Sequence, residues 1–478
     1  MKKYIREFAA QVLQKLRKYG LNVQRFQGID KEILKLQSIK DPIARLRSTE
    51  QLASMHPKHP KLHLELVQCL HMTHDPRAYD QMERYAIILQ EWLSNTRLAK
   101  LNIEFIWVGN VMGSLGNHYA IEGLLRANKY GLRVPKEIFL LLPENAQLRN
   151  PTLFSYFEPY LNVVRNQEVI EGMKGLESSL TLPLGICLPM NDISPFLDIA
   201  ANITEIARIK LGMEGPLFHL SEKHHAMGQK VLKKLGLPDD AWYVTMHVRE
   251  PGYRGEAKVG NTENWRNANP LDYLKACEAV TKAGGWVFRI GDPSMTELPS
   301  MPQVIDYAHM KIRSDFMDVF LGATCRFLIG TASGPLRIPR FFGVPVILTK
   351  CSHFIQYFSL FENDLFLPRF LQHQKNDKYL SFEDYMSPPT TMFGADRLLK
   401  EGLKSLENTP EELEAVTIEM LKRTEGSDSL NLDDDLQLRF KVLAERCGQK
   451  HGGHLVKAFA PISQEFIHKH ANLLDTIN

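Results

Sequence analysis

The chain has 478 residues, of which 44% are hydrophobic and 24% charged, and a net charge of +3. A single hydrophobic core stops growing at about 250–300 residues, so the length implies two or three domains. The near-neutral balance argues against a nucleic-acid binder with a broadly basic surface, and the composition excludes the disordered and fibrous classes.

The first hundred residues read as helical. Tyr4, Ile5, Phe8, Val12, Leu13, Leu16 and Tyr19 recur at helical spacing, against a charged set of Lys2, Lys3, Arg6, Lys15, Arg17 and Lys18. Such a helix either packs on a helical domain or docks residues 1–25 on an anionic membrane. A second helical block, from His63 to about Leu98, is compatible with a degenerate helical repeat, although no period stands out. No apolar run reaches the roughly 18–20 residues that span a bilayer, and the N-terminus lacks the apolar core of a signal peptide. The six cysteines are scattered without a C-x-x-C pair and read as small buried hydrophobes of a reducing compartment. The expected location is cytoplasmic, with peripheral contact on the inner membrane as the variant of that reading.

Beyond residue 100 the pattern changes to strands alternating with helices. Apolar runs at 103–108, 137–142, 160–164 and 182–188 read as strands, with a helix from His118 to Tyr130. A polar helix over 219–235 leads into a second set of strands at 242–248, 286–290, 303–307, 326–329 and 345–348. Helices at 270–283 and 315–323 separate them. Alternation of this kind builds parallel sheets covered on both faces. The expected fold is therefore α/β, with two Rossmann-like lobes facing a cleft. The expected domains are a helical one over 1–100, lobes over 101–225 and 226–405, and C-terminal helices over 406–478 that pack back on the lobes.

Four segments carry chemistry. The loop from Gly109 through Gly113, Gly116 and Asn117 to His118 joins a strand to a helix, where glycines permit close backbone approach and the helix start favours negative charge. His118 in the first helical turn is a candidate neutral general base, its pKa lowered by the helix dipole; a capping or solvent-facing histidine is the plainer reading. Met246-His247-Val248-Arg249-Glu250 ends a strand, where open α/β sheets bind ligands. Strand alternation puts His247 and Arg249 on one face, and Arg249 can grip a diphosphate in bidentate fashion; the plainer reading is that Arg and His here form a structural ion pair with Glu250 or a neighbour. Arg289-Ile290-Gly291-Asp292 ends another strand. Gly330-Thr331-Ala332-Ser333-Gly334-Pro335 follows a buried strand with small residues and two hydroxyls, and Pro335 is placed to start a helix, which makes an anion cradle. Asp433-Asp434-Asp435 reads as a solvated charge run and no D-x-D ends a strand, so no metal site is expected.

Together these segments resemble a family of bacterial glycosyltransferases of the two-lobed GT-B fold, whose pattern is H-x-R, an R-N pair ahead of a tyrosine-bearing helix, R-x-G-D and G-x-x-S-G. The matching residues are His247 and Arg249, Arg266-Asn267 ahead of Tyr273, Arg289 to Asp292, and Gly330 to Gly334. The H-x-R element is also similar to that of fucosyltransferases using GDP-fucose. Glu250-Pro251-Gly252-Tyr253 stands where those enzymes often carry a second arginine, which argues against that donor. The resemblance implies a nucleotide diphosphate sugar as co-substrate, with no metal or other cofactor. It implies His247, Arg249, Arg266, Asn267, Arg289, Gly330, Thr331, Ser333 and Gly334 as donor contacts, and an inverting displacement with His118, Glu250 or Asp292 as base. The acceptor would be a glycan, a lipid-linked sugar or a protein, met near Gly113, Gly116 and Asn117, in bacterial surface polysaccharide or glycoconjugate synthesis. Rival readings are a pyruvyl or phosphosugar transferase of the same architecture and a non-catalytic helical-repeat scaffold.

Overall fold

The computed structural model describes residues 27–73, parts of 75–91, 103–107, 115–130, 137–165 except 144 and 145, 167, 215–251, 266–351, 354–387, 390, 395–426, 434–449 and 460–474. The basic stretch over 1–25, the strand expected at 182–188 and Gly113 lie outside the described residues. The described residues before Asn150, together with 157–167, form one compact unit. Asn150–Tyr156 and the described residues from Gly215 onward form another.

The first unit begins with helices α1 (Gln27–Ser38), α2 (Pro42–Met55) and α3 (Pro60–Met72). Asp41 caps α2 by accepting from the backbone N–H of Ile43, and a proline follows in the first turn. Leu36, Leu46, Leu62, Leu66 and Leu70 share one cluster between the three helices. Glu65 is buried there with its carboxylate on Arg45 and Gln37, so the charge is paired rather than stranded. Strand β1 (Ile103–Trp107) then pairs in parallel with β2 (Glu137–Leu141), and β2 with β3 (Asn162–Val164). Helix α4 (Tyr119–Lys129) lies between β1 and β2 in the chain. Parallel neighbours need such a crossover, and the sequence rhythm predicts it.

The second unit is an α/β domain on a six-stranded, wholly parallel sheet in the order β6-β5-β4-β7-β8-β9. Its strands are β4 (Tyr243–His247), β5 (Trp286–Arg289), β6 (Val304–Ile305), β7 (Leu328–Thr331), β8 (Val346–Cys351) and β9 (Leu365–Pro368). Every residue of β4, β7, β8 and β9 is buried, as expected where both faces of a parallel sheet are covered. The covering helices include α6 (Glu222–Lys234), after the short α5 (Pro151–Phe157), then α7 (Leu274–Lys282) and α8 (Asp315–Thr324). Ser221 and Ser314 cap α6 and α8 through their hydroxyls, and acidic residues in both first turns meet the positive end of the helix dipole.

The helix after the G-x-x-S-G turn departs from expectation. It is α9 (Arg337–Phe341), five residues long, and begins after Pro335 instead of at it. Residues 335 and 336 form a turn in which Arg337 N–H donates to Gly334 O and Ile338 N–H to Pro335 O. So short a helix brings little dipole to an anion, leaving the hydroxyls and backbone of the turn as its chemical content.

Strands β9, β10 (Phe370–His373) and β11 (Leu403–Leu406) are additions to the expected set, with β10 and β11 forming a separate antiparallel pair. Helices α10 (Phe382–Met386) and α11 (Ala395–Lys400) lie between those two. Helix α12 (Pro410–Thr424) opens on a capping box of Thr409 and Glu412 and packs on α7. After α13 (Asp435–Gln449), the segment leading into α14 (Gln464–Lys469) runs along the outer edge of β9. There Phe366 N–H donates to Pro461 O, and Ser463 N–H returns to Phe366 O. This contact covers the backbone edge that β9 would otherwise expose.

Candidate functional site

The order of the six strands determines where a ligand can sit. From β4 the chain moves outward through β5 and β6, then returns to β4's other side for β7, β8 and β9. The connections therefore diverge between β4 and β7, and open α/β sheets bind ligands beyond the carboxyl ends of strands at such a switch point. His247 is the last residue of β4, and Arg249 and Glu250 follow it. Thr331 is the last residue of β7 and opens the turn to Ser333 and Gly334. The H-x-R and G-x-x-S-G segments thus meet at the switch point, 82 residues apart in sequence.

They also bond to each other. The Arg249 backbone N–H donates to Thr331 Oγ1 at 2.9 Å, and Ser333 Oγ lies 2.9 Å from His247 Nδ1. Gly330 pairs with His247 in register, and a Cβ on it would come within 2.2 Å of the His247 carbonyl oxygen. Any larger residue would push β7 off β4, so this glycine has a packing reason of its own. Burial, followed by the charge of Arg289, lowers His247 to about 4 from its ordinary 6.5, so the ring is neutral near pH 7.

The Arg249 guanidinium is buried against Asn267, donating through Nη1 to Asn267 Oδ1, and Ala268 N–H donates to Arg249 O. Arg266 stands beside Asn267 and is half-buried. The Asn267 carbonyl accepts from Arg369 Nη2 at 2.6 Å, and that nitrogen also donates to Glu407 at 2.9 Å. Glu407 in turn pairs with Lys350 at 3.2 Å, and Lys350 reaches Asp272 as well. Lys350 is buried in β8 at φ +50°, where the β8–β9 register shifts. A left-handed lysine in a strand is uncommon. Arg369, Glu407, Lys350 and Asp272 escape a reading of the sequence, which carries no signal for a lysine at positive φ or for partners a hundred residues apart.

Arg289 has a different environment. It is fully buried, with Nη1 on Asp306 Oδ1 at 3.0 Å, and Nη2 on Glu250 Oε1 at 2.8 Å and on Thr296 O at 3.1 Å. Both oxygens of Glu250 are occupied, because Oε2 accepts from Thr296 N–H and Oγ1–H at 2.9 and 2.6 Å. Asp306 Oδ2 accepts from Leu298 N–H at 2.9 Å and lies 3.0 Å from His309 Nδ1. Glu250 is thus the partner of Arg289. Asp292 accepts from Ser294 N–H at 3.0 Å in the turn after β5. The preceding Gly291 has φ +154°, and a Cβ there would strike Met295 Sδ at 2.2 Å.

In the first unit, Gly116 and Asn117 belong to the 3₁₀ turn Leu115–His118. His118 ends that turn in helical conformation as the N-cap of α4. It is buried, and its ring packs on Phe157 with centroids 5.5 Å apart.

No family model matches the chain, and no curated protein matches it. Among solved structures it is similar to a family 9 glycosyl transferase from Veillonella parvula, at 12% identity over 56% of this chain and 86% of that one, with a TM-score of 0.34. It is also similar to ADP-heptose LPS heptosyltransferase II of E. coli, at 12% identity over 56% of this chain and 90% of that one, TM-score 0.36. A third is the iron-containing dodecameric glycosyltransferase TibC of enterotoxigenic E. coli, at 15% identity over 68% and 74%, TM-score 0.31.

Proposed function

We propose that the chain is a glycosyltransferase of the two-lobed GT-B type, transferring a sugar from a nucleotide diphosphate donor held at the β4–β7 switch point. The observation that carries this reading is the meeting of H-x-R and G-x-x-S-G at the carboxyl ends of the two strands where the connections diverge. A sheet of this topology takes its ligands there. The groups assembled suit a diphosphate: the Arg249 guanidinium, the Ser333 hydroxyl and the backbone of a small-residue turn, which the buried Thr331 hydroxyl ties to the Arg249 N–H. Sugar transfer, as opposed to another use of an anionic donor, is what the resemblance of the four motifs to those of bacterial GT-B glycosyltransferases implies.

In this reading the acceptor hydroxyl attacks the anomeric carbon as the bond from that carbon to the diphosphate oxygen breaks, inverting the configuration. The electron pair of the broken bond leaves with the nucleoside diphosphate, whose growing charge Arg249 and the Ser333 hydroxyl stabilise. The acceptor proton passes to a base, a role we give to His118. Glu250 and Asp292 are less suited to it, because Glu250 has both oxygens committed and Asp292 caps its own turn. We treat Arg289 as a positioning residue, since its two carboxylate partners already compensate its charge. Neutral His247 keeps Ser333 in place without adding charge.

The test is a nucleotide-release assay against a panel of UDP-, GDP-, ADP- and CMP-linked sugars, with the Arg249→Ala variant alongside. Release from one donor, with that donor bound roughly 10- to 100-fold more weakly by the variant, is the expected result, since bonds to charged groups contribute about 1.5–3 kcal/mol. Donor affinity and turnover equal to wild type in Arg249→Ala would remove the diphosphate from this site.

A further inference from the structure

Arg249 is held by its own chain at three points. Its backbone N–H donates to Thr331 Oγ1 at 2.9 Å, its carbonyl accepts from Ala268 N–H at 2.9 Å, and its guanidinium donates through Nη1 to Asn267 Oδ1. Two of these three holds come from one place, the junction of Asn267 and Ala268 in the connection between β4 and α7. The peptide group at that junction is gripped at both ends. Its N–H, which belongs to Ala268, is the one on Arg249, and its C=O, which belongs to Asn267, accepts from Arg369 Nη2 at 2.6 Å. A planar trans peptide directs its N–H and C=O to opposite sides, so one rigid unit stands between the two arginines. All of these residues lie in the second compact unit.

Arg369 is itself fixed. It follows β9 directly, is buried, and donates its backbone N–H to Cys351 O at the end of β8 at 3.1 Å. The nitrogen that reaches Asn267 also donates to Glu407 at 2.9 Å, and Lys350 holds that carboxylate at 3.2 Å. Hydrogen bonds from an ionised donor are roughly twice as strong as neutral ones, so Arg369 is a firm anchor for the Asn267 carbonyl. An arginine that is to meet a diphosphate has to be oriented without losing its charge. Asn267 Oδ1 is an uncharged acceptor and meets that requirement, while the carboxylate of the cluster, Glu407, is engaged by Arg369 and Lys350. We infer that Arg369 is the positioning residue for Arg249, acting through the Asn267–Ala268 peptide and without touching the donor itself. This inference rests on the reading of Arg249 as a diphosphate contact. It adds that the grip of Arg249 is set from the far end of β9, 120 residues along the chain. Without Arg369 the peptide is free to turn, and a turn releases the Arg249 carbonyl and displaces Asn267 Oδ1 together. The guanidinium then has to be ordered when the nucleotide binds, which weakens binding.

The experiment is a double-mutant cycle on the full-length protein, made of wild type, Arg249→Ala, Arg369→Gln and Arg249→Ala/Arg369→Gln. Calorimetric titration with ADP, GDP and UDP identifies the nucleotide that wild type binds most tightly, and amide hydrogen exchange is followed in the same four proteins. Arg369→Gln should weaken that nucleotide by about 10-fold, the size of losing one bond to a charged group. In the Arg249→Ala background the same substitution should change affinity by less than about twofold, because a residue that acts only through Arg249 has nothing left to act on. Exchange at Ala268 should rise about 10-fold or more in Arg369→Gln while the amides of β4 and β7 keep their wild-type rates, a local opening that general loosening of the domain does not give. Equal losses of affinity in both backgrounds overturn the inference, and so does unchanged exchange at Ala268. Wild-type affinity in Arg249→Ala, or no nucleotide binding by wild type, sinks the diphosphate reading and with it the purpose given to Arg369; the exchange rates separate that failure from a failure of the Arg369 hold. If Arg369→Gln does not fold, Arg369→Lys keeps the charge beside Glu407 and gives up the forked donors, and the same exchange and affinity measurements decide.

Discussion

The Arg249 backbone N–H donates to the Thr331 side chain at 2.9 Å, tying the end of β4 to the end of β7 at the point where their outgoing chains part. Thr331 is fully buried, so this N–H has no water to fall back on. Thr331→Val keeps the shape and removes the acceptor. It should cost about 1–3 kcal/mol, the penalty for an unsatisfied buried donor, and should loosen nucleotide binding as Arg249 loses its anchor. Thr331→Ser restores the oxygen and should recover most of both losses. Chemical denaturation of the three proteins checks this, and equal midpoints for threonine and valine would contradict it.

The Arg289–Glu250–Asp306 cluster separates a structural role from a chemical one. Arg289→Met removes the cation that the buried Glu250 and the mostly buried Asp306 share, and breaking a buried pair in this way costs about 3–5 kcal/mol. Glu250→Gln is milder, since the amide oxygen still accepts from Thr296 and Asp306 still balances the arginine. The expected outcome for Glu250→Gln is a lowered Tm with turnover per folded molecule near wild type. A variant of unchanged Tm and abolished turnover would instead make Glu250 the base.

Much of this arrangement is legible before the structure, and the reason differs from part to part. The core strands announce themselves because a parallel sheet buried on both faces favours apolar runs, as in Phe327 to Ile329 and Val346 to Leu348. The α4 crossover is legible from its helical spacing. Strand β9 is harder to see: Leu365-Phe366-Leu367 is short and ends in Pro368, which ordinarily marks an edge or no strand at all. Its pairing with β8 is read only from tertiary contact. H-x-R and G-x-x-S-G stand out because their residue types are unusual at strand ends, whereas the sequence cannot say which arginine meets Glu250. Alternation would point Arg249 and Glu250 to opposite faces, and beyond the end of β4 at His247 Glu250 turns toward β5 and Arg289. The chain of Arg369, Glu407 and Lys350 that extends from Asn267 is invisible in sequence for a simpler reason, namely that its members come from strand β8 and two separate connections.

Protonation of His247 gives a pH test. Its folded value of about 4 lies below the ordinary 6.5, so the unfolded chain takes up a proton that the native site refuses. Its contribution is fully present above about pH 6.5 and is lost progressively as pH falls toward 4. At pH 5 the loss should be about 2 kcal/mol relative to neutral pH. Glu419, which burial raises to about 7, acts in the opposite sense, favouring the fold at low pH and losing that effect as pH rises. The comparison is therefore between wild type and His247→Gln, in which Glu419 is common to both. The stability difference between pH 7.5 and pH 5 should shrink in the variant, and an identical difference in the two proteins would show that His247 does not titrate in this window.

Lys350 combines two effects of opposite sign, and two substitutions pull them apart. Its side chain holds Asp272 and Glu407, while its backbone sits at φ +50°, a conformation that costs an L-residue about 1–2 kcal/mol and a glycine almost nothing. Lys350→Ala loses the ion pairs and keeps the strain. Lys350→Gly loses the ion pairs and relieves the strain, although glycine gains freedom in the unfolded chain that offsets part of the benefit. Glycine should therefore be the more stable of the two by about 0.5–1 kcal/mol, the reverse of their order in an ordinary strand. Both should fall below wild type, because Asp272 and Glu407 are left without their buried cation. Urea unfolding of the pair measures the order directly. Alanine proving the more stable would mean that the bulge at Lys350 relaxes to negative φ once the lysine is gone. The ion pairs, and not the chain path between β8 and β9, would then be what holds it.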